Sequence, residues 1–95
     1  MKYRVRVRPA AELDLLYSAG WYESKRAGLG DEFLDEMRRV IVALESDALL
    51  HQARHENVRL AFSRRFPYSI AYRIVDDEVV VLSVLHMRRQ PGRRP

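Results

Sequence analysis

FPYSIAYRIVDDEVVVLSVLHMRRQ, residues 66–90, holds two runs rich in Val, Ile and Tyr on either side of Asp76-Asp77. Runs of that composition flanking a turn-forming pair predict an antiparallel hairpin, Tyr68–Val75 with Glu78–His86. A two-residue loop at Asp76-Asp77 sets Ile74 opposite Val79, Tyr72 opposite Val81 and Ile70 opposite Ser83. A longer loop, or a one-residue slip, changes which side chains share a face. The second run is apolar on both faces, which predicts a central strand. Arginines surround the hairpin: Arg64 and Arg65 before it, Arg73 inside it, Arg88 and Arg89 after it.

Upstream, Val58–Phe62 alternates Val58, Leu60 and Phe62 with Arg59 and Ala61, a further strand. Tyr3, Val5 and Val7 alternate with Lys2, Arg4, Arg6 and Arg8, a half-buried first strand with one cationic face. Two uses fit those charges: guarding a sheet edge, or forming part of an anion-binding surface. Pro9 suits the first position of a helix. That helix runs to about Arg26, with Ala11, Leu15, Ala19 and Tyr22 on one face and Leu16 and Trp21 widening the band. Ala27-Gly28-Leu29-Gly30 fits a helix end followed by a tight reversal. Asp31 is the expected cap of a second helix, whose stripe is Phe33, Leu34, Met37, Val40, Ile41 and Leu44. Off that stripe lie Glu32, Asp35, Glu36, Arg38 and Arg39, with Asp35–Arg39 a favourable pair. His51 and His55 have the spacing of one helical face, but no third ligand accompanies them and they read as surface histidines. The order is β-α-α-β-β-β: an α+β fold in which a two-helix hairpin packs on a four-stranded, mainly antiparallel sheet.

Ninety-five residues predict one domain spanning 1–95, with a basic, flexible tail from about residue 88. No cysteine is present, which excludes disulfides, thiolate metal sites and a cysteine nucleophile. No apolar run approaches the ~20 residues of a membrane span. A cytoplasmic protein without cofactor or metal is expected. The net charge of +4 is unevenly placed. Residues 1–56 carry nine basic and ten acidic side chains, and residues 57–95 carry eight and three. Fifteen of the seventeen basic residues are arginine, the side chain that forks onto phosphates and carboxylates. An anionic partner is one reading of this charge and a solvated face is the other.

The segments, in this order, resemble the RelE/ParE superfamily of toxins from type II toxin–antitoxin pairs. They are the alternating first strand, Trp21-Tyr22-Glu23, Gly28-Leu29-Gly30-Asp31-Glu32-Phe33, Arg65-Phe66-Pro67-Tyr68 and the hairpin through His86 to Arg88-Arg89. The glycine-containing segment and Arg65–Tyr68 are closer to the ParE-like branch. The resemblance implies a plasmid-stabilisation-like toxin that arrests growth and is neutralised by a cognate antitoxin. For the ParE-like branch it implies inhibition of DNA gyrase without covalent chemistry. Arg59, Arg65, Arg73, Arg88, Arg89 and Trp21 would then contact target or antitoxin, and His86 would be structural. The RelE-like alternative is a ribosome-dependent endonuclease acting on mRNA. His86 would there serve as base or acid, Arg64, Arg65, Arg73 and Arg88 as phosphate clamps, and Tyr68 or Tyr72 as a base-stacking residue. The only lysines are Lys2 and Lys25, outside the hairpin, which departs from the RelE-like pattern. A third reading is a non-toxic binding module of the same fold.

Overall fold

The computed structural model describes residues 2–88. Arg89 and the rest of the expected tail lie outside them. The hairpin forms as β3 (Tyr68–Val75) and β4 (Glu78–His86), closed by Asp76-Asp77 with Val75 opposite Glu78. Asp76 takes φ 57°, a left-handed conformation that Asp tolerates. The two-residue register holds from that turn to Tyr72–Val81. Beyond it Ala71 pairs with Ser83, Leu82 is the extra residue of a bulge, and Ile70 faces Val84 rather than Ser83. The bulge turns Val84 into the core, where the regular register would have buried the hydroxyl of Ser83.

The other elements are β1 (Arg4–Val7), α1 (Pro9–Lys25), α2 (Leu29–Asp47), 3-10 turns at Ala48–Leu50 and His55–Asn57, and β2 (Arg59–Phe62). The sheet order is β1-β4-β3-β2, with β1 parallel to β4 and the other pairs antiparallel. The β4 strand is therefore central, as its two apolar faces require. The helices cover one face of the sheet. Phe33, Met37 and Leu44 of α2 and Ala11 and Ala19 of α1 pack with Ile70, Tyr72, Val79, Val81 and Val84. Tyr72, buried at the centre, donates its hydroxyl to the carbonyl of Ala48 at 2.6 Å, and burial pushes its phenol up to about 12. Past the end of β1, Asp14 of α1 takes over the outer edge of β4, accepting the Val84 N–H at 2.9 Å.

Several expectations change. The second helix begins at Leu29, with Gly28 as its N-cap at φ 88°, so Asp31 lies in its first turn. Glu23 from α1 closes the reversal, accepting the amides of Gly28 and Gly30 at 3.0 Å each. Those amides hold its carboxyl below the usual 4.5. Glu36 is buried, and Arg39 pairs with it at 2.8 Å instead of with Asp35, which faces Arg38. In β2 the buried residue is Ala61, while Phe62 is exposed. Ala61 faces Ile70 in the ladder, on the side covered by the helices, where its small side chain fits. His51 and His55 fall in separate segments, so the helical pair does not form. Tyr68 and Tyr72 are core residues with no face open for stacking on a base.

Candidate partner-binding surfaces

Helix α1 carries more apolar residues than one face can bury. The small side chains Ala11 and Ala19 face the sheet, where they allow close approach. The large ones turn outward: Leu13, Leu16, Tyr17 and Trp21 are 67, 65, 74 and 44 % exposed. Their spacing of i, i+3, i+4 and i+8 makes a continuous stripe on the solvent side of the helix. Leu16 and Trp21, which the sequence reading adds to the inner band, thus belong to the opposite face. A contiguous apolar stripe of this kind marks an interaction surface. The Lys25 ammonium sits 4.8 Å over the Trp21 ring, and Arg26 follows at the end of the helix. Glu32 bridges Arg65 and Arg26, and these two arginines hold its carboxyl below the usual 4.5. The stripe therefore ends in a cationic rim of Lys25, Arg26 and Arg65.

The other candidate arginines divide between two ends of the sheet. Arg64 and Arg65 lie in the β2–β3 connection. Tyr68 pairs with His86, and the Met87 N–H donates to the Pro67 carbonyl at 2.7 Å, so His86 and Arg88 share that end. His86 accepts the Arg88 N–H through Nδ1 at 3.0 Å and sets its ring edge-on to Tyr68, centroids 5.1 Å apart. Arg59 and Arg73 lie toward the other end. Arg73 is five steps along β3 from Tyr68, about 17 Å at the usual rise. Arg73 binds Glu56 through the carboxylate at 3.5 Å and through the carbonyl at 3.2 Å. Arg59 donates to the carbonyl of His51. At the first strand, Arg4 pairs with Asp77 at 3.2 Å and Arg6 with Glu78 at 3.4 Å, which fits an edge guard rather than a convergent anion site. The structure thus gathers His86, Arg64, Arg65 and Arg88 and sets Arg73 and Arg59 apart from them.

Glu36 is a residue that sequence reasoning places on the surface. Its carboxylate accepts from Arg39 at 2.8 Å and from Ser63 at 3.1 Å. These bonds, with the Arg64 backbone amide, outweigh desolvation and hold it below the usual 4.5. Glu23, Glu32 and Glu36 all shift downward, so below 4.5 the unfolded chain binds more protons than the folded one. The stability these groups contribute is complete above that pH and is lost as pH falls through their folded values. Urea midpoints should fall as pH drops below 4.5, and Glu36→Gln should flatten part of that fall. An unchanged profile in the variant would exclude Glu36 as a contributor.

Among the described residues no helix is long and apolar enough to cross a membrane. The family model described as the ParE toxin of the type II toxin–antitoxin system parDE matches residues 5–91. No curated protein matches the chain. Among solved structures, the chromosomal ParDE system of P. aeruginosa is similar with a TM-score of 0.74 and 18% identity, over 90% of this chain and 96% of that one. The toxin–antitoxin complex RelBE2 of Mycobacterium tuberculosis is similar with a TM-score of 0.61 and 26% identity, over 90% and 99%. The two structures share the helix hairpin on a four-stranded mixed sheet found here. With a match that runs from the first strand past the end of β4, this chain belongs to the ParE toxin family of type II toxin–antitoxin systems.

Proposed function

We propose that this toxin acts in the cytoplasm by binding DNA gyrase and blocking it without covalent chemistry, and that its cognate antitoxin neutralises it by covering the α1 stripe. The observation that carries this reading is the exposed row Leu13, Leu16, Tyr17 and Trp21 with its cationic rim. Aromatic and arginine side chains around an apolar stripe are what protein–protein hot spots are made of. The match to the ParE family supports the gyrase branch, and the two similar structures, both toxin–antitoxin systems, support an antitoxin partner. His86 fits a structural role, with its ring against Tyr68 and its Nδ1 engaged by the Arg88 amide. Trp21, Arg65 and Arg88 are the residues proposed to touch target or antitoxin. Arg59 and Arg73 would do so only by leaving their present internal partners, and Arg89 joins the set from the sequence alone.

A second reading is mRNA cleavage, which the gathering of His86 with Arg64, Arg65 and Arg88 at one sheet end favours. Purified toxin should inhibit gyrase supercoiling in vitro, and His86→Gln should keep that inhibition within about threefold, as expected for a residue outside any proton transfer. Unimpaired supercoiling together with ribosome-phased cuts in mRNA, abolished by His86→Gln, would replace the gyrase reading with the nuclease one. Absence of growth arrest on induction would point to a non-toxic module.

A further inference from the structure

The first strand has a face that the core does not use. Tyr3, Val5 and Val7 turn toward the helices and pack on the core. By alternation Lys2, Arg4, Arg6 and Arg8 share the opposite face of the sheet, turned away from both helices. The Arg8 N–H donates to the Val81 carbonyl at 3.0 Å, so the ladder, and the alternation with it, holds to the end of the row. Successive cations therefore stand about 6.7 Å apart along a line of about 20 Å. Arg6 and Arg73 both pair with Val80, which puts Arg73 on the same face, two strands further in.

The acids near this row are held loosely. Asp77 pairs with Arg4 at 3.2 Å, Glu78 with Arg6 at 3.4 Å, and Glu45 lies 4.0 Å from Lys2. Arg8 has no ion pair among the described residues. The Lys2 and Arg4 side chains are 80 and 78 % exposed, and pairs so exposed exchange readily for another anion. A guard on a sheet edge works with charge of either sign. The uniform positive sign of this row is therefore left over once guarding is accounted for. A straight row does not converge on one small anion, but it suits an extended one. Within the row there is no exposed apolar anchor for a protein partner. Its one aromatic, Tyr3, is buried, so an unpaired base has nothing to stack on. A duplex needs neither, since its backbone presents evenly spaced charge without any base contact.

We propose that Lys2, Arg4, Arg6 and Arg8 bind the phosphate backbone of duplex DNA, without sequence preference. The inference goes beyond the gyrase reading and does not depend on it. For an inhibitor of gyrase, such a surface adds a hold on the DNA that the enzyme handles.

The test is fluorescence anisotropy of the purified full-length toxin with a labelled duplex of arbitrary sequence, over a range of salt. Binding should have a Kd on the order of 10 μM at low salt, and log K should fall against log salt with a slope of about −3.6 for four phosphates. The double variant Arg6→Gln/Arg8→Gln should bind at least about tenfold more weakly and bring the slope to about −1.8. Residues 89–95 carry three further arginines, so Arg93→Gln/Arg94→Gln is the control with the same loss of charge. It should change affinity less than about threefold, as for charges outside the contact. Unchanged urea midpoints in both variants would confine the effect to the surface. Absence of duplex binding overturns the inference, and so do equal losses in the two variants, which would reduce it to net charge. A single strand bound more tightly than the duplex, or polyglutamate displacing the duplex at equal charge concentration, also overturns it, in favour of unpaired bases or an acidic protein segment. None of these outcomes touches the gyrase reading, which the supercoiling assay decides separately.

Discussion

Phe33→Ala should lower the stability of the fold by about 4 kcal/mol, the range for truncating a fully buried aromatic. Phe33 is completely buried at the start of α2. Its ring stacks on Tyr22 with centroids 5.2 Å apart and meets the edges of Phe66 and Tyr68 at 5.3 and 4.9 Å. Those three rings come from α1, the β2–β3 connection and β3, so one side chain ties the helix hairpin to the sheet. Alanine would remove three aromatic contacts and leave a cavity walled by rings that belong to different elements, which limits how far it can collapse. A domain of this size has about 5–15 kcal/mol in total, so the variant should be near the limit of folding, with a melting temperature some 20 °C lower. Phe62→Ala is the internal control. Its ring is exposed on the edge strand, and the loss should stay below about 1 kcal/mol. Urea titration of both variants checks the pair. Equal losses would mean that the ring cluster is not the joint described here.

What could be read from the sequence was what local pattern dictates. The Val and Ile alternation around Asp76-Asp77 carries the hairpin, and the 3.6-residue period from Phe33 to Leu44 carries α2. Where the reading failed, a choice between two faces was made by something distant. The bulge at Leu82 has no local signal, because it is decided by whether Ser83 or Val84 meets Ile70 in the core. In α1 the reading placed Ala11 and Ala19 inside, as found, but added Leu16 and Trp21, which face outward, and in β2 it gave the inside to Val58, Leu60 and Phe62. In β2 packing gave the inside to Ala61, whose small side chain fits under the helices. The one available warning was an excess of large apolar residues in α1. Glu36 could not be placed at all without Ser63, 27 residues away. Likewise the arginines were visible as a cluster in the sequence, but their partners Glu32 and Glu56 lie 33 and 17 residues off and set which guanidinium groups remain unpaired.

The glycine-containing segment that carried much of the family resemblance has a physical reading, and Gly30→Ala should expose it. A Cβ on Gly30 would lie 2.7 Å from the backbone carbonyl of Ala19 and 3.0 Å from the Glu23 carboxylate. A carbonyl in the middle of a helix cannot swing aside, so the first turn of α2 would have to back away from α1. That movement would also stretch the bond from the Gly30 amide to Glu23, the link holding the reversal closed. A loss of about 2–3 kcal/mol is expected, at the upper end for overpacking, with the Glu23 carboxyl returning toward its ordinary range as its amide donors withdraw. Gly20→Ala on the neighbouring helix should do the reverse. Nothing lies within 4 Å of its Cβ position, so it should gain close to the ~1 kcal/mol by which alanine exceeds glycine in a helix. The two substitutions add the same methyl group ten residues apart, and opposite signs follow only if close contact between the helices, rather than backbone freedom, is what position 30 requires. A stabilising Gly30→Ala would remove the basis for the close α1–α2 contact, and with it the fixed seat of Trp21 and Lys25 at the rim of the α1 stripe.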